Sequence, residues 1–210
     1  MKTAILLLLP LLAPAEVVDR IAVTVGKQVI TESDLIRDLR VDAFLDRKAV
    51  DLTPEAKRKS AQRLVDQILI LREAEESHLT LAAPGDADRL VAAEKSKFAS
   101  EREYQAALAK YGVTEADLSE HLLDGLRELR FTDLRFRPQV QVSDADARQY
   151  YDKLTADWRS AGRPTIPSFE ESRAQMEQLL SEQRTMSALD DWLEMTRASR
   201  HIEYKEAAFK

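Results

Sequence analysis

The chain has 210 residues, with 31 Lys and Arg against 37 Asp and Glu, a formal net charge of −6 and no cysteine. The acidic balance argues against a nucleic-acid binder, which carries a basic face, and against electrostatic docking to an anionic membrane. Without thiols there is no disulfide framework and no lipid-bearing cysteine, so a hydrophobic core alone must hold the fold.

The first segment, "MKTAILLLLPLLAPAE", has one basic residue, Lys2, then an apolar run from Ala4 to Leu12, then Ala13-Pro14-Ala15. This is the pattern of a secretory signal peptide, with Ala13 and Ala15 marking the cleavage site. The run is shorter than the roughly 20 residues that span a bilayer. Residues 1–15 are therefore expected to be a leader. Residues 16–210 are expected to form one exported domain in the periplasm, with no stable membrane insertion after processing.

Next comes "IAVTVGKQVI", where Ile21, Val23 and Val25 alternate with Ala22 and Thr24. Gly26-Lys27 fits a two-residue hairpin turn with glycine first, and Val29 and Ile30 continue beyond it. A two-stranded hairpin alone is marginal in water, so a further partner is required.

The rest reads as helix. Thr31…Asp34, Ser100…Glu103, Thr114…Asp117, Ser143…Asp146 and Ser168…Glu171 match a capping box or its Asp variant, and Thr53-Pro54 places proline at a first helical position. Helices are expected over Glu32–Arg47, Pro54–His78, Asp86–Phe98, Glu101–Tyr111, Glu115–Phe136, Asp144–Leu154 and Phe169–Ser199. Apolar stripes recur at helical spacing: Ala61, Leu64, Val65, Ile68 and Leu71; Leu118, Leu122, Leu126 and Leu129; Met176, Leu179, Met186, Leu189 and Leu193. Residues 155–168 read as a linker between an N-terminal part, 16–154, and a C-terminal part, 169–210. In "RHIEYKE" Ile202 and Tyr204 share one face, so this segment is expected to join the hairpin as a third strand. The expected fold is mainly α, a multi-helix core with a small β-hairpin joined by a C-terminal strand.

Nucleotide-binding, zinc-protease and serine-hydrolase motifs are absent from the sequence. His78, His121 and His201 read as surface or helix-terminal residues. Asp144, Asp146 and Asp152, like Asp190-Asp191, read as solvated helix faces. No catalytic residue, cofactor or metal is expected.

"VVDRIAVTVGKQVITESDLI" resembles the mature N-terminus of the SurA-type periplasmic chaperones. "VSDADARQYYDKL" is similar to the helix that precedes the parvulin domain in SurA and PrsA relatives. "FEESRAQMEQLLSEQRTMSALDDWLEMTRASRHIEY" resembles the family's long C-terminal helix and final strand. The resemblance implies a chaperone core closed by its N- and C-terminal parts. It also implies an ATP-independent holdase whose clients are unfolded, aromatic-rich outer-membrane or secreted proteins. The sequence departs from the family between Leu154 and Phe169, where relatives carry parvulin prolyl isomerase domains and this chain has only "TADWRSAGRPTIPS". A chaperone without isomerase activity is therefore expected. Trp158, beside Arg159 and Arg163, and Phe131 and Phe136 are the candidate client contacts, with binding carried by apolar anchors and little affected by salt. The alternatives are a helical adaptor of an envelope assembly, which would bind one folded partner, and a relative of the isomerases without their activity.

Overall fold

The structure is a computed structural model, and it describes residues 19–162, 165 and 167–210. The expected leader with Ala13 and Ala15, and Arg163, lie outside the described residues. The fold is mainly helical with one small antiparallel sheet. In chain order the elements are β1 (Ile21–Val25), β2 (Gln28–Thr31), α1 (Glu32–Asp46), α2 (Pro54–Glu76), α3 (Pro84–Lys95), α4 (Glu101–Tyr111), α5 (Glu115–Arg135), α6 (Asp144–Ser160), α7 (Phe169–Ser199) and β3 (Ile202–Tyr204). Short 3-10 turns follow α5 and β3. No helix among the described residues is long and apolar enough to cross a membrane.

The hairpin finds its partner in the tail. Strand order is β2-β1-β3, and β1 pairs with β3 through Val23↔Tyr204, Thr24↔Glu203 and Val25↔Ile202. At the β1–β2 turn Gly26 adopts a φ of 60°, which glycine reaches without strain. The β1–β2 register shifts from Ile21↔Thr31 to Val23↔Ile30, so β1 carries an extra residue. That bulge corrects the simple alternation: Ala22 and Val23 are both buried, while Ile21 is 45% exposed. The Ala22 carbonyl accepts from Lys205 N at 2.8 Å, extending the tail's attachment. Beyond β3, Phe209 is buried in the sheet's core beneath the Arg58 guanidinium, 4.8 Å from its ring centroid.

Helix starts follow the side-chain chemistry. Thr31, Thr114, Ser143 and Ser168 each close a full capping box. α3 begins two residues earlier than expected, because the Asp86 carboxylate accepts from Ala83 N at 2.9 Å and Pro84 fits the first turn. α6 runs six residues past its expected end at Leu154. Thr155 is fully buried and the first glycine is Gly162, so the packed face continues and Trp158 is helical, not in a linker. Two stripe residues also turn outward. Met186 is 48% exposed, because Thr185, Leu189 and Leu193 form the buried row of α7. Leu129 is 55% exposed, because α5 buries Leu118, Leu123 and Phe131 instead.

Two cores matter for the site. One joins the sheet to α1 and α2 through Val23, Val25, Ile30, Leu35, Ala61, Val65 and Leu69. The other joins α1, α4 and α5 through Val41, Phe44, Tyr104, Leu108 and Leu118. α6 packs chiefly on α7, where Ala147, Phe169 and Met176 form a separate small core.

Candidate functional site

α1, α2 and α5 meet along an open groove with a volume of about 200 Å³. Each helix offers one face at helical spacing: Asp34, Arg37, Asp38 and Val41 from α1; Leu64, Gln67, Ile68 and Leu71 from α2; Asp117, Glu120, His121 and Asp124 from α5. The floor is apolar, made of Ile30, Val41, Leu64, Ile68 and Leu71. It follows the seam between the two cores. Ile30 belongs to the sheet core and Val41 to the helical one, while Leu71 takes part in neither. The volume lies below the roughly 300–1,000 Å³ of small-molecule pockets, and suits one or two side chains better than a cofactor.

Asp38 and His121, which line the groove, belong to a polar clasp that continues beyond it. Arg63 pairs with both Asp38 Oδ2 and, at 2.5 Å, Asp42 Oδ2. Ser60 Oγ donates to Asp38 Oδ2 at 2.5 Å. The His121 ring lies on the other side, with Nδ1 3.3 Å from Asp38 Oδ1 and Nε2 3.4 Å from Asp42 Oδ1. Two carboxylates from α1 are thus held between a guanidinium from α2 and an imidazole from α5. Burial pushes the Asp38 carboxyl up, but the His121 imidazole, the Arg63 charge and the Ser60 hydroxyl outweigh it and hold the group below the usual carboxylate range. For Asp42 burial prevails over Arg63, aided by the like charge of Asp38, and its carboxyl is raised.

Among the described residues, Asp38, Asp42 and His121 are the group that could ligate a metal, offering three ligand atoms within 4.8 Å of one another. Arg63 already places a positive charge against both carboxylates, so a cation there would meet its repulsion. The arrangement fits a clasp between helices better than a metal centre.

The rim is acidic. Arg37 is shared between Asp34 at 3.1 Å and Asp117 at 3.2 Å, and Arg127 pairs with Asp124 at 3.0 Å. Glu120 is exposed and has no ion pair among the described residues.

The residues singled out from sequence lie elsewhere. Phe131 and Phe136 are buried together, with ring centroids 5.8 Å apart and Trp192 at 5.2 and 6.2 Å. They build the core between α5 and α7, and in this arrangement they present no ring to an incoming chain. Trp158 is half-buried on α6. The structure therefore does not bring these three to one surface. Sequence reasoning passed over the groove because its helix faces mix polar with apolar residues. His121, read as a surface residue, is a member of the clasp. The signal that could have found it is the shared four-residue spacing of Asp34/Asp38, Asp117/His121 and Leu64/Ile68.

No model of a known protein family matches this chain, and no curated protein matches it.

Proposed function

We propose that the protein is an ATP-independent holdase of the periplasm that binds unfolded outer-membrane or secreted polypeptides and has no isomerase activity. The observation that carries this reading is the α1–α2–α5 groove, an apolar floor open to solvent and sized for side chains of an extended chain. The resemblance of both chain ends to SurA-type chaperones supports it, as does the leader-like first segment. Seating one large apolar side chain contributes about 1.5–3 kcal/mol, against several kcal/mol for association and ordering. A few anchors then give affinities near the micromolar range, about −8 kcal/mol, tight enough to delay aggregation and weak enough for release without ATP. Exposed Leu134 on α5 and Met195 on α7 are further apolar contacts outside the groove.

The test is suppression of aggregation of several unrelated unfolded β-barrel proteins diluted from denaturant, with a proline-limited refolding assay in parallel. A holdase delays aggregation of all of them and leaves X-Pro isomerisation at its uncatalysed rate of tens to hundreds of seconds. Tight binding to one folded partner, with no effect on unfolded chains, would instead mark an adaptor.

A further inference from the structure

Resting on the holdase reading, we propose that the groove selects client segments in which an apolar residue is flanked within two positions by lysine or arginine. The apolar floor alone would accept any large aliphatic or aromatic side chain, so selectivity must come from what surrounds it. Carboxylates surround it. Asp34 and Asp117 share a single arginine, Arg37, which leaves one negative charge in excess at the α1–α5 edge. Glu120, on the same edge, adds a second that no cation offsets among the described residues. The clasp cannot supply a cation to the rim, because Arg63 is engaged by Asp38 and Asp42.

An extended client places alternate side chains on the same side. With one apolar residue on the floor, a neighbouring lysine or arginine can lay its aliphatic stem along Leu71 or Ile68 and carry its charge to the rim. An acidic neighbour would meet Glu120 and the excess of the Asp34–Asp117 pair. The charge component makes binding sensitive to ionic strength, contrary to the expectation for a purely apolar cradle.

The experiment is fluorescence anisotropy with a labelled peptide series on the intact protein. Each peptide has one central leucine or phenylalanine flanked by lysine, serine or glutamate; a fourth carries the same lysines at its far ends, so that net charge is held constant. The lysine-flanked peptide is expected to bind about tenfold tighter than the glutamate-flanked one at low salt, and within about twofold of it at 1 M salt, where the Debye length is about 3 Å. Glu120→Lys should remove most of that preference and leave the serine-flanked peptide unchanged. Glu194→Lys, an exposed site on α7 away from the groove, should not alter the preference. Equal affinities across the series, with aggregation suppression intact, overturn the inference and leave the holdase reading standing. So does an equal effect of Glu194→Lys, or equal binding when the lysines sit at the far ends, since either reports net charge alone. Concentration-dependent dimerisation that competes with the peptides gives the groove to a second copy of the chain and also overturns it. Binding of no peptide together with no aggregation suppression overturns both.

Discussion

The Lys57 ammonium lies 2.7 Å from Glu32 Oε1, with only 7% of its side chain exposed, and donates to the Ala208 carbonyl at 3.4 Å. One charge thus ties the start of α2 to the start of α1 and to the tail after β3. Glu32 is shared with Arg20, whose guanidinium also reaches the Ala207 carbonyl at 3.0 Å. Breaking a buried pair by removing one partner costs about 3–5 kcal/mol. Lys57→Met is expected to destabilise the protein by about 3 kcal/mol, and removal of residues 201–210 by more, because it also uncovers the β1 edge. Urea midpoints at constant slope check both. A midpoint unmoved by the truncation would mean that the tail contributes nothing.

Groove and core should separate under mutation. Leu71 lines the groove but belongs to no buried cluster, so Leu71→Ala should weaken peptide binding several-fold and cost little stability. Phe131→Ala should do the reverse, losing about 3–5 kcal/mol as a core truncation while any protein still folded binds normally. Thermal melts beside anisotropy titrations decide this. Loss of binding in folded Phe131→Ala would return that residue to the client site.

The clasp sets opposed acid responses. Asp38 is lowered in the folded state, so its contribution is present above the unfolded value of about 3.9 and is lost as pH falls through the folded value. Asp42 is raised, so its contribution is present below the unfolded value and is lost as pH rises through the folded one. In stability measured against pH, Asp42→Asn should therefore gain relative to the parent above its folded value. Asp38→Asn should be destabilised by about 2–3 kcal/mol at neutral pH, with the difference closing below pH ~4. Parallel curves for parent and variants would show that neither shift exists.

Tyr104 is fully buried among Phe44, Phe98 and its neighbours, and its hydroxyl makes no hydrogen bond among the described residues. Burial, with the Glu115 charge adding to it, pushes the phenol up to about 12. A buried hydroxyl without a partner costs about 1–3 kcal/mol, and Tyr104→Phe keeps the ring. The variant is expected to be as stable as the parent or about 1 kcal/mol more so. A loss above about 1 kcal/mol in denaturant unfolding would reveal a partner for the hydroxyl.

Features encoded by local chemistry were legible in the sequence. The Thr and Ser caps, the Gly26 turn and the period-two pattern at Ile202 and Tyr204 each have a short-range cause, and the structure has those helices, that turn and that third strand. What depends on distant neighbours was not. Ile21 turns outward because a bulge shifts its register, and Met186 because Thr185 lies on the row that meets the body. The groove was hidden for the same reason. Asp38, Arg63 and His121 sit on three different helices, and only packing makes a clasp of them; of the three, the sequence singled out His121 alone, as a surface or helix-terminal residue. Large aromatics attracted the site assignment, and the sequence did not show that Phe131 and Phe136 pack together in the core between α5 and α7.

The β2-β1-β3 order also governs when the protein can become itself. Arg20 and the Ala207 carbonyl it binds are 187 positions apart, and β1 has one free edge until β3 arrives. A chain emerging from its first residue onward makes the hairpin early, yet must hold it incomplete through seven helices. Closing so long a loop adds little to the final stability cost but slows the finishing step, because the most distant contacts form last. The core between α1, α4 and α5 holds no residue of the tail, so it can close before the sheet is complete.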